Sequence, residues 1–273
     1  MKRLALLLIM IAAVLSNTAN SQDQKALEVL ESMQERYEES VNDIDDYIME
    51  KGNHTVLYKK AYTDDGRPYF KTKSKGEHKE NTESASATNK DLYTQFVPQA
   101  KQKATYKGTD EVDGNEAHVI YIDQMEVEGF NADRDTEDTV EDISLYIDSD
   151  KLVIRKMKYT IQSKIKGGEV RKISPVIKNR DFRNVEGMLI PYETATIVKG
   201  LTLTDEEREE VEKGLKDFEE KLEEMPESQR EMVEEMAGGE IKKYRKMIEE
   251  DQYKQVSRVK DIKVNTGTKI EDF

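Results

Sequence analysis

Glu141-Asp142-Ile143-Ser144-Leu145-Tyr146-Ile147-Asp148-Ser149-Asp150-Lys151-Leu152-Val153-Ile154-Arg155-Lys156-Met157-Lys158-Tyr159-Thr160-Ile161 opens the stretch, running to Gly200, on which the fold turns. Ile143, Leu145 and Ile147 alternate with polar neighbours, and so define a strand from Asp142 to Asp148. Asp148-Ser149-Asp150 is a turn, because short polar side chains bond back to the backbone there. The return strand, Leu152 to Ile165, sets Val153, Met157, Tyr159, Ile161 and Ile165 on one face. Lys156, Lys158, Thr160, Gln162 and Lys164 occupy the other. A period of two with one dry and one wet side marks an antiparallel sheet. Ile154 breaks the alternation. Gly167-Gly168 supplies a hairpin turn, a third strand runs to about Phe182, and Asn184 to Gly187 turns the chain into Met188–Val198.

Outward from this meander, the chain begins Met1-Lys2-Arg3 and then runs apolar from Leu4 to Leu15, with Ala19 and Ser21 ahead of Gln22. A basic start, a short apolar run and a small-x-small site describe a secretory signal peptide, residues 1–21, cleaved near Ser21. An uncleaved anchor is the alternative, although the run falls short of the roughly 20 residues that span a bilayer. With no cysteine in the chain, acylation after the signal, disulfides, thiol catalysis and thiolate metal sites are all excluded. Loss of Lys2 and Arg3 takes the net charge from −14 to −16, which repels nucleic acid and anionic membrane surfaces. The expected mature protein, residues 22–273, is a single exported domain without a membrane span.

Gln24 to about Ser40 carries Ala26, Leu27, Leu30, Met33 and Tyr37 at helical spacing. Tyr47, Met49 and Thr55 to Tyr62 alternate loosely as strands, and Asp64-Asp65-Gly66-Arg67-Pro68 turns the chain back. Ser74 to Asn89 is a polar loop; Asp91 to Val97 fits a short helix or a strand. Thr105 to Val112 and Ala117 to Asp123 form a hairpin around Asp113-Gly114. In it His118, Ile120 and Ile122 point one way, Val119 and Tyr121 the other. Residues 204–251 change period: Thr204 and Glu207 make a capping box, and Val211, Leu215, Phe218, Leu222 and Met225 form a narrow apolar seam. Pro226 opens a second helix, Gly238-Gly239 stops it, and Ile241 to Asp251 forms a third. Gln255 to Val264 is the last strand. The seam packs either on its sister helices or on the mouth of the curved sheet, or else on a partner helix or a second copy of the chain.

The chain resembles the periplasmic LolA/LolB-like superfamily of outer-membrane lipoprotein-sorting proteins. The resemblance rests on the signal peptide with its amphipathic first helix, the Leu145–Met157 hairpin, Arg183-Asn184-Val185-Glu186-Gly187-Met188-Leu189-Ile190-Pro191, and the final Val259–Asn265 strand. It implies a curved antiparallel sheet forming an incomplete barrel with helices over its open side, so an α+β fold with an N-terminal helix is expected; the charged three-helix insertion of residues 204–251, before the last strand, departs from the family. The resemblance also implies a non-enzymatic periplasmic carrier whose apolar interior takes lipid or lipoprotein acyl chains. Transfer through water costs about 0.8 kcal/mol per exposed methylene, so a carrier must offer a matching apolar surface. Val119, Tyr121, Leu145, Ile147, Val153, Met157, Tyr159 and Ile161 are the candidate wall; ordinary core packing is their other reading. The second functional reading is an envelope scaffold that binds another protein through its acidic insertion.

Motifs for chemistry are sparse. His54, His78 and His118 are scattered, with neither a zinc-binding spacing nor a nucleophile elbow or phosphate loop in the chain. Asp133-x-Asp135-x-Glu137 lacks the glycine and final acid of a calcium loop, and Asn53-His54-Thr55 is a bare sequon. No catalytic residue, metal or cofactor is expected. If Met157 belongs to the carrier's wall, Met157→Asp impairs loading of a fluorescent fatty acid; unchanged loading with intact folding would count against that assignment.

Overall fold

The computed structural model describes residues 23–52, 54–76, 97–125, 137–164, 170–199, 205–250 and 252–272. Residues 1–22, with the expected signal peptide, and Asn53, His78, Gly167-Gly168, Thr204 and the Asp133-x-Asp135 segment lie outside them. Helix α1 (residues 23–40) leads into strands β1 (Asp46–Lys51), β2 (His54–Tyr62) and β3 (Pro68–Gly76). One helical turn, α2 (Val97–Ala100), precedes β4 (Ala104–Val112), β5 (Asn115–Met125), β6 (Glu137–Asp148) and β7 (Ile154–Lys164). Strands β8 (Val170–Val185) and β9 (Met188–Lys199) follow, then helices α3 (Asp205–Glu224) and α4 (Glu227–Glu250), and β10 (Gln252–Val264).

All ten strands form one antiparallel sheet in the order β3-β2-β1-β10-β9-β8-β7-β6-β5-β4. From β4 to β10 it is a meander in which each strand pairs with the one before it, and two-residue turns join β4 to β5 and β8 to β9. Asp113 and Gly114 have φ of 50° and 80°, and Glu186 and Gly187 have 51° and 93°, the positive pairs that two-residue hairpins need. Asn184 fixes the second of these turns by accepting the Gly187 N–H at 2.9 Å. Pairing of β10 with β1 joins the two ends of the chain, and β3 and β4 remain as edges. The sheet is an incomplete barrel, and the α3–α4 hairpin is inserted between the paired strands β9 and β10.

α1 makes the sheet a two-layer structure. Its Ala26, Val29, Leu30 and Met33 pack against Ile120, Ile122, Ile143, Leu145 and Ile147 of β5 and β6. Just beyond its last turn, Val41 and Ile44 join a second cluster with Met49, Val56, Tyr58, Phe70, Met188 and Ile190. One helix and its exit loop thus touch strands near both edges of the sheet, so the sheet must curve around them.

Interruptions of the ladder supply that curvature. Pairing shifts register between Tyr106 and Thr109, where Gly108 has φ of 98°, and between Val140 and Asp142. It shifts again opposite Tyr146/Ile147 and at Glu50/Lys51. Bulges bend a strand and strengthen its twist. Arg155 is the extra residue of the third, which explains Ile154: with Arg155 stepped out, Ile154 and Met157 both face α1.

Two sequence expectations shift. β7 begins at Ile154, so Val153 sits just ahead of the strand instead of on it. Of Asp91–Val97 only Val97 is described, as the first residue of α2. The insertion holds two helices, not three. Gly238 and Gly239 keep helical φ, so they form no left-handed cap; their cost of about 1 kcal/mol each is borne by a 24-residue helix lying against α3 and β10. Leu222 is buried, and Val211, Leu215, Phe218 and Met225 are half-buried, so the seam is largely covered within the protein. Among the described residues no helix is long and apolar enough to cross a membrane.

Two buried carboxylates fasten the ends of the sheet. Asp148 caps its own turn by accepting the N–H groups of Asp150 and Lys151 at 2.9 and 2.6 Å, and it pairs with buried Arg155. Asp46, 1% exposed, clasps the chain after β10: Thr266 donates its N–H and hydroxyl at 2.7 and 2.6 Å, Gly267 its N–H at 3.1 Å, and Lys59 its ammonium at 3.1 Å. Burial alone would raise the Asp46 carboxyl, but the bonds from Thr266 and Lys59 outweigh it and hold it below its ordinary value of 3.8. A carboxyl depressed in the fold stabilises above its unfolded pKa and loses that contribution as pH falls through the folded value. Asp46→Asn is therefore expected to cost about 2–3 kcal/mol at pH 7, with the difference from the native chain shrinking below pH 3.8. Urea unfolding at several pH values measures both.

Candidate functional site

The eight sequence-chosen wall residues do not share one surface. Leu145 and Ile147 are fully buried beneath α1. Met157 and Tyr159 are half-buried against the same core, opposite Leu145 and Ile143, and burial raises the Tyr159 phenol. Ile161 continues this row, half-buried between Val140 and Ile173. Val153 is buried ahead of β7. Val119 and Tyr121 lie on the outer face, as the alternation of β5 requires. Val119 packs with Val112, Ala117 and Tyr146; Tyr121 stands opposite Ser144 with the Lys107 ammonium 5.3 Å from its ring centre. Burial, then Asp123 and Asp142, raises the Tyr121 phenol.

Hollow space lies instead on the other half of the concave face, beyond the reach of the α1 stripe. A cavity of about 310 Å³ opens between the end of α1 (Tyr37, Ser40, Val41) and strands β1, β2, β3, β9 and β10. Its aromatic wall is ordered: Tyr47 stacks on Tyr58 with centroids 4.3 Å apart at 8°, and meets Phe70 edge-on at 5.0 Å and 73°. Met49, Met188, Ile190 and Val259 add apolar surface, and Lys51 contributes a charge.

Local sequence explains how these groups converge. Tyr47, Met49 and Lys51 alternate along β1 and face the cavity together; their partners on β2 are Tyr58, Val56 and His54. On β10 the bulge opposite Glu50/Lys51 steps Lys260 out of the ladder, so Ile262 and Val259, three positions apart, both turn inward. None of the eight wall residues lines this cavity. Its signal was present in Tyr47-x-Met49-x-Lys51 and Met188-x-Ile190, but the β10 contribution is hidden by the bulge.

Acid–base groups are dispersed. Lys51 is half-buried, and its removal from water holds its ammonium below the ordinary range. Burial and then the Lys51 charge lower His54. Across the sheet, His118 Nδ1 lies 3.2 Å from the Tyr106 hydroxyl, and burial lowers the imidazole. Among the described residues no group of three His, Asp or Glu side chains is arranged to hold a metal ion. What the arrangement can do is enclose an apolar chain beside one cation.

No protein-family model and no curated protein sequence matches the chain. Among solved structures it is similar to a domain assigned to outer membrane lipoprotein sorting from Vibrio parahaemolyticus, at 8% identity, covering 92% of this chain and 96% of that one with a TM-score of 0.41. It is also similar to a DUF1329 family protein from Desulfovibrio piger, at 9% identity, 91% and 95% coverage and 0.41. A LolA superfamily protein from Nitrosomonas europaea gives 10% identity, 86% and 93% coverage and 0.33. At such scores the fold and site rest on the chain's own strand order and packing.

Tyr58→Ala is expected to remove the stacked wall and cost about 3 kcal/mol, the low end for a buried aromatic deletion. The midpoint of denaturant unfolding reports this, and an unchanged midpoint would show that the Tyr47–Tyr58 stack contributes little.

Proposed function

We propose that this protein is a non-enzymatic carrier of lipid or lipoprotein acyl chains, exported to the periplasm and acting in outer-membrane lipoprotein sorting. The observation that carries the reading is the cavity of about 310 Å³ beside the end of α1, walled by Tyr47, Tyr58, Phe70, Met49 and Met188 on the concave face of an open sheet. Its volume lies at the lower end of the roughly 300–1,000 Å³ usual for ligand sites. Methionines bend to chains of variable shape, and the ring faces of Tyr47, Tyr58 and Phe70 offer a hydrocarbon broad apolar contact. The basic and apolar start of the sequence supports export, and the dispersal of His54 and His118 supports binding over catalysis.

A carrier of this form works by exchange of surfaces. The acyl chain leaves a membrane or donor for the aromatic wall, and the released water offsets the ordering of the chain. Gentle purification of the mature protein, followed by native mass spectrometry and organic extraction, is expected to yield acyl-bearing lipid or peptide in stoichiometric amount. Absence of any such ligand, together with no uptake of a fluorescent fatty acid, would overturn the reading.

A further inference from the structure

Lys51 is at odds with its surroundings. It faces a cavity lined by aromatic and aliphatic groups together with the hydroxyls of Ser40, Thr194 and Ser257, none of which carries a charge to match it, and most of its own surface has left water. Neighbouring lysines in the same part of the sheet are paired: Lys59 with Asp46 at 3.1 Å and Lys263 with Glu50 at 3.1 Å. Among the described residues Lys51 has no carboxylate partner within ion-pair distance. Glu50, next in the chain, points to the opposite face and is held there by Lys263. A desolvated ammonium without a counter-ion is unfavourable, and the lowered pKa of Lys51 reflects that burial.

We infer that the cavity is built for an amphiphile with one acyl chain and one anionic head, whose head pairs with Lys51 while its chain lies along Tyr47, Tyr58 and Phe70. The inference rests on the acyl-binding reading above and narrows it. Charge complementarity selects the anion, because a neutral head would leave the ammonium unpaired. Cavity size selects a single chain, since about 310 Å³ is small for a multiply acylated lipid. A fatty-acid carboxylate and the phosphate of a lysophospholipid share this chemistry.

Calorimetric titration of the mature protein with dodecanoate, with 12-carbon lysophosphatidylglycerol and with dodecanol at one pH tests the proposal. At least one anion is expected to bind tenfold or more tightly than the alcohol, the usual worth of a charge-assisted contact, and the tighter anion names the source of the head. Lys51→Met keeps the stem and removes the charge; it is expected to erase that preference, so that anion and alcohol bind within about twofold of each other. Lys51→Arg is expected to restore it. Equal binding of alcohol and anions by the native chain would overturn the inference while leaving acyl binding standing, as would an unchanged preference in Lys51→Met. Failure of all three probes to bind the folded native chain would overturn the acyl-binding reading itself. If Lys51→Met does not fold, the native comparison of anion with alcohol decides alone.

Discussion

One helix has to cover the inner face of ten strands, and it cannot. Neighbouring strands lie about 4.8 Å apart, so ten of them make a sheet some 43 Å across. Residues 23–40 form a rod of roughly 27 Å with a diameter near 10 Å. The apolar stripe of Ala26, Val29, Leu30 and Met33 seals the part built from β5 and β6 into a dry core. Past Tyr37 the helix ends, and the aromatic surface of β1, β2 and β3 is left facing a hollow. The cavity follows from this mismatch of length and width. Curving the sheet brings its two ends toward the helix, but it does not lengthen the helix.

The buried carboxylates keep that geometry in place. Asp46 ties the exit of β10 to the entry of β1, and so fixes the pairing that sets Val259 against Lys51. Asn265 reinforces the clasp by accepting the Asp45 N–H and donating to the Asp43 carbonyl. At the other end Asp148 and Arg155 hold the bulge from which β7 starts, with Arg155 also donating to Asn115. Each of these charges is matched within the fold. The Lys51 charge alone among those discussed faces empty space, which is why it is read as part of the site.

Much of the fold was legible because it is written in alternation and in turns. Asp113-Gly114 and Asn184–Gly187 state where the hairpins close, and Ile143, Leu145 and Ile147 state which side is dry. The α1 stripe was readable from its spacing, though Val29, fully on the inner side, was not among the residues it suggested. Bulges defeated the rest. An extra residue shifts the parity of every side chain beyond it, so Val153 was placed on a face that Ile154 occupies, and Val259 with Ile262 broke period two. Glycine misled at Gly238-Gly239, where packing on α3 and β10 outweighs a local preference. The wall residues failed to assemble for a simpler reason. Apolarity shows that a side chain is buried, not whether another side chain or a hollow lies against it, and only the length of α1 separates Leu145 from Met49. Val119 and Tyr121 share β5 with the core but point away from it.

Methionine methyl groups stand on both sides of that division, which makes them reporters of where a chain binds. NMR of methyl-labelled mature protein titrated with a soluble acyl chain reads Met49 and Met188 in the cavity wall, Met33 under the helix, and Met157 at the edge of the sealed core. The account predicts that the Met49 and Met188 resonances move while Met33 and Met157 hold still. Movement of Met157 with Met49 and Met188 unchanged would place the ligand on the meander half of the sheet and contradict it.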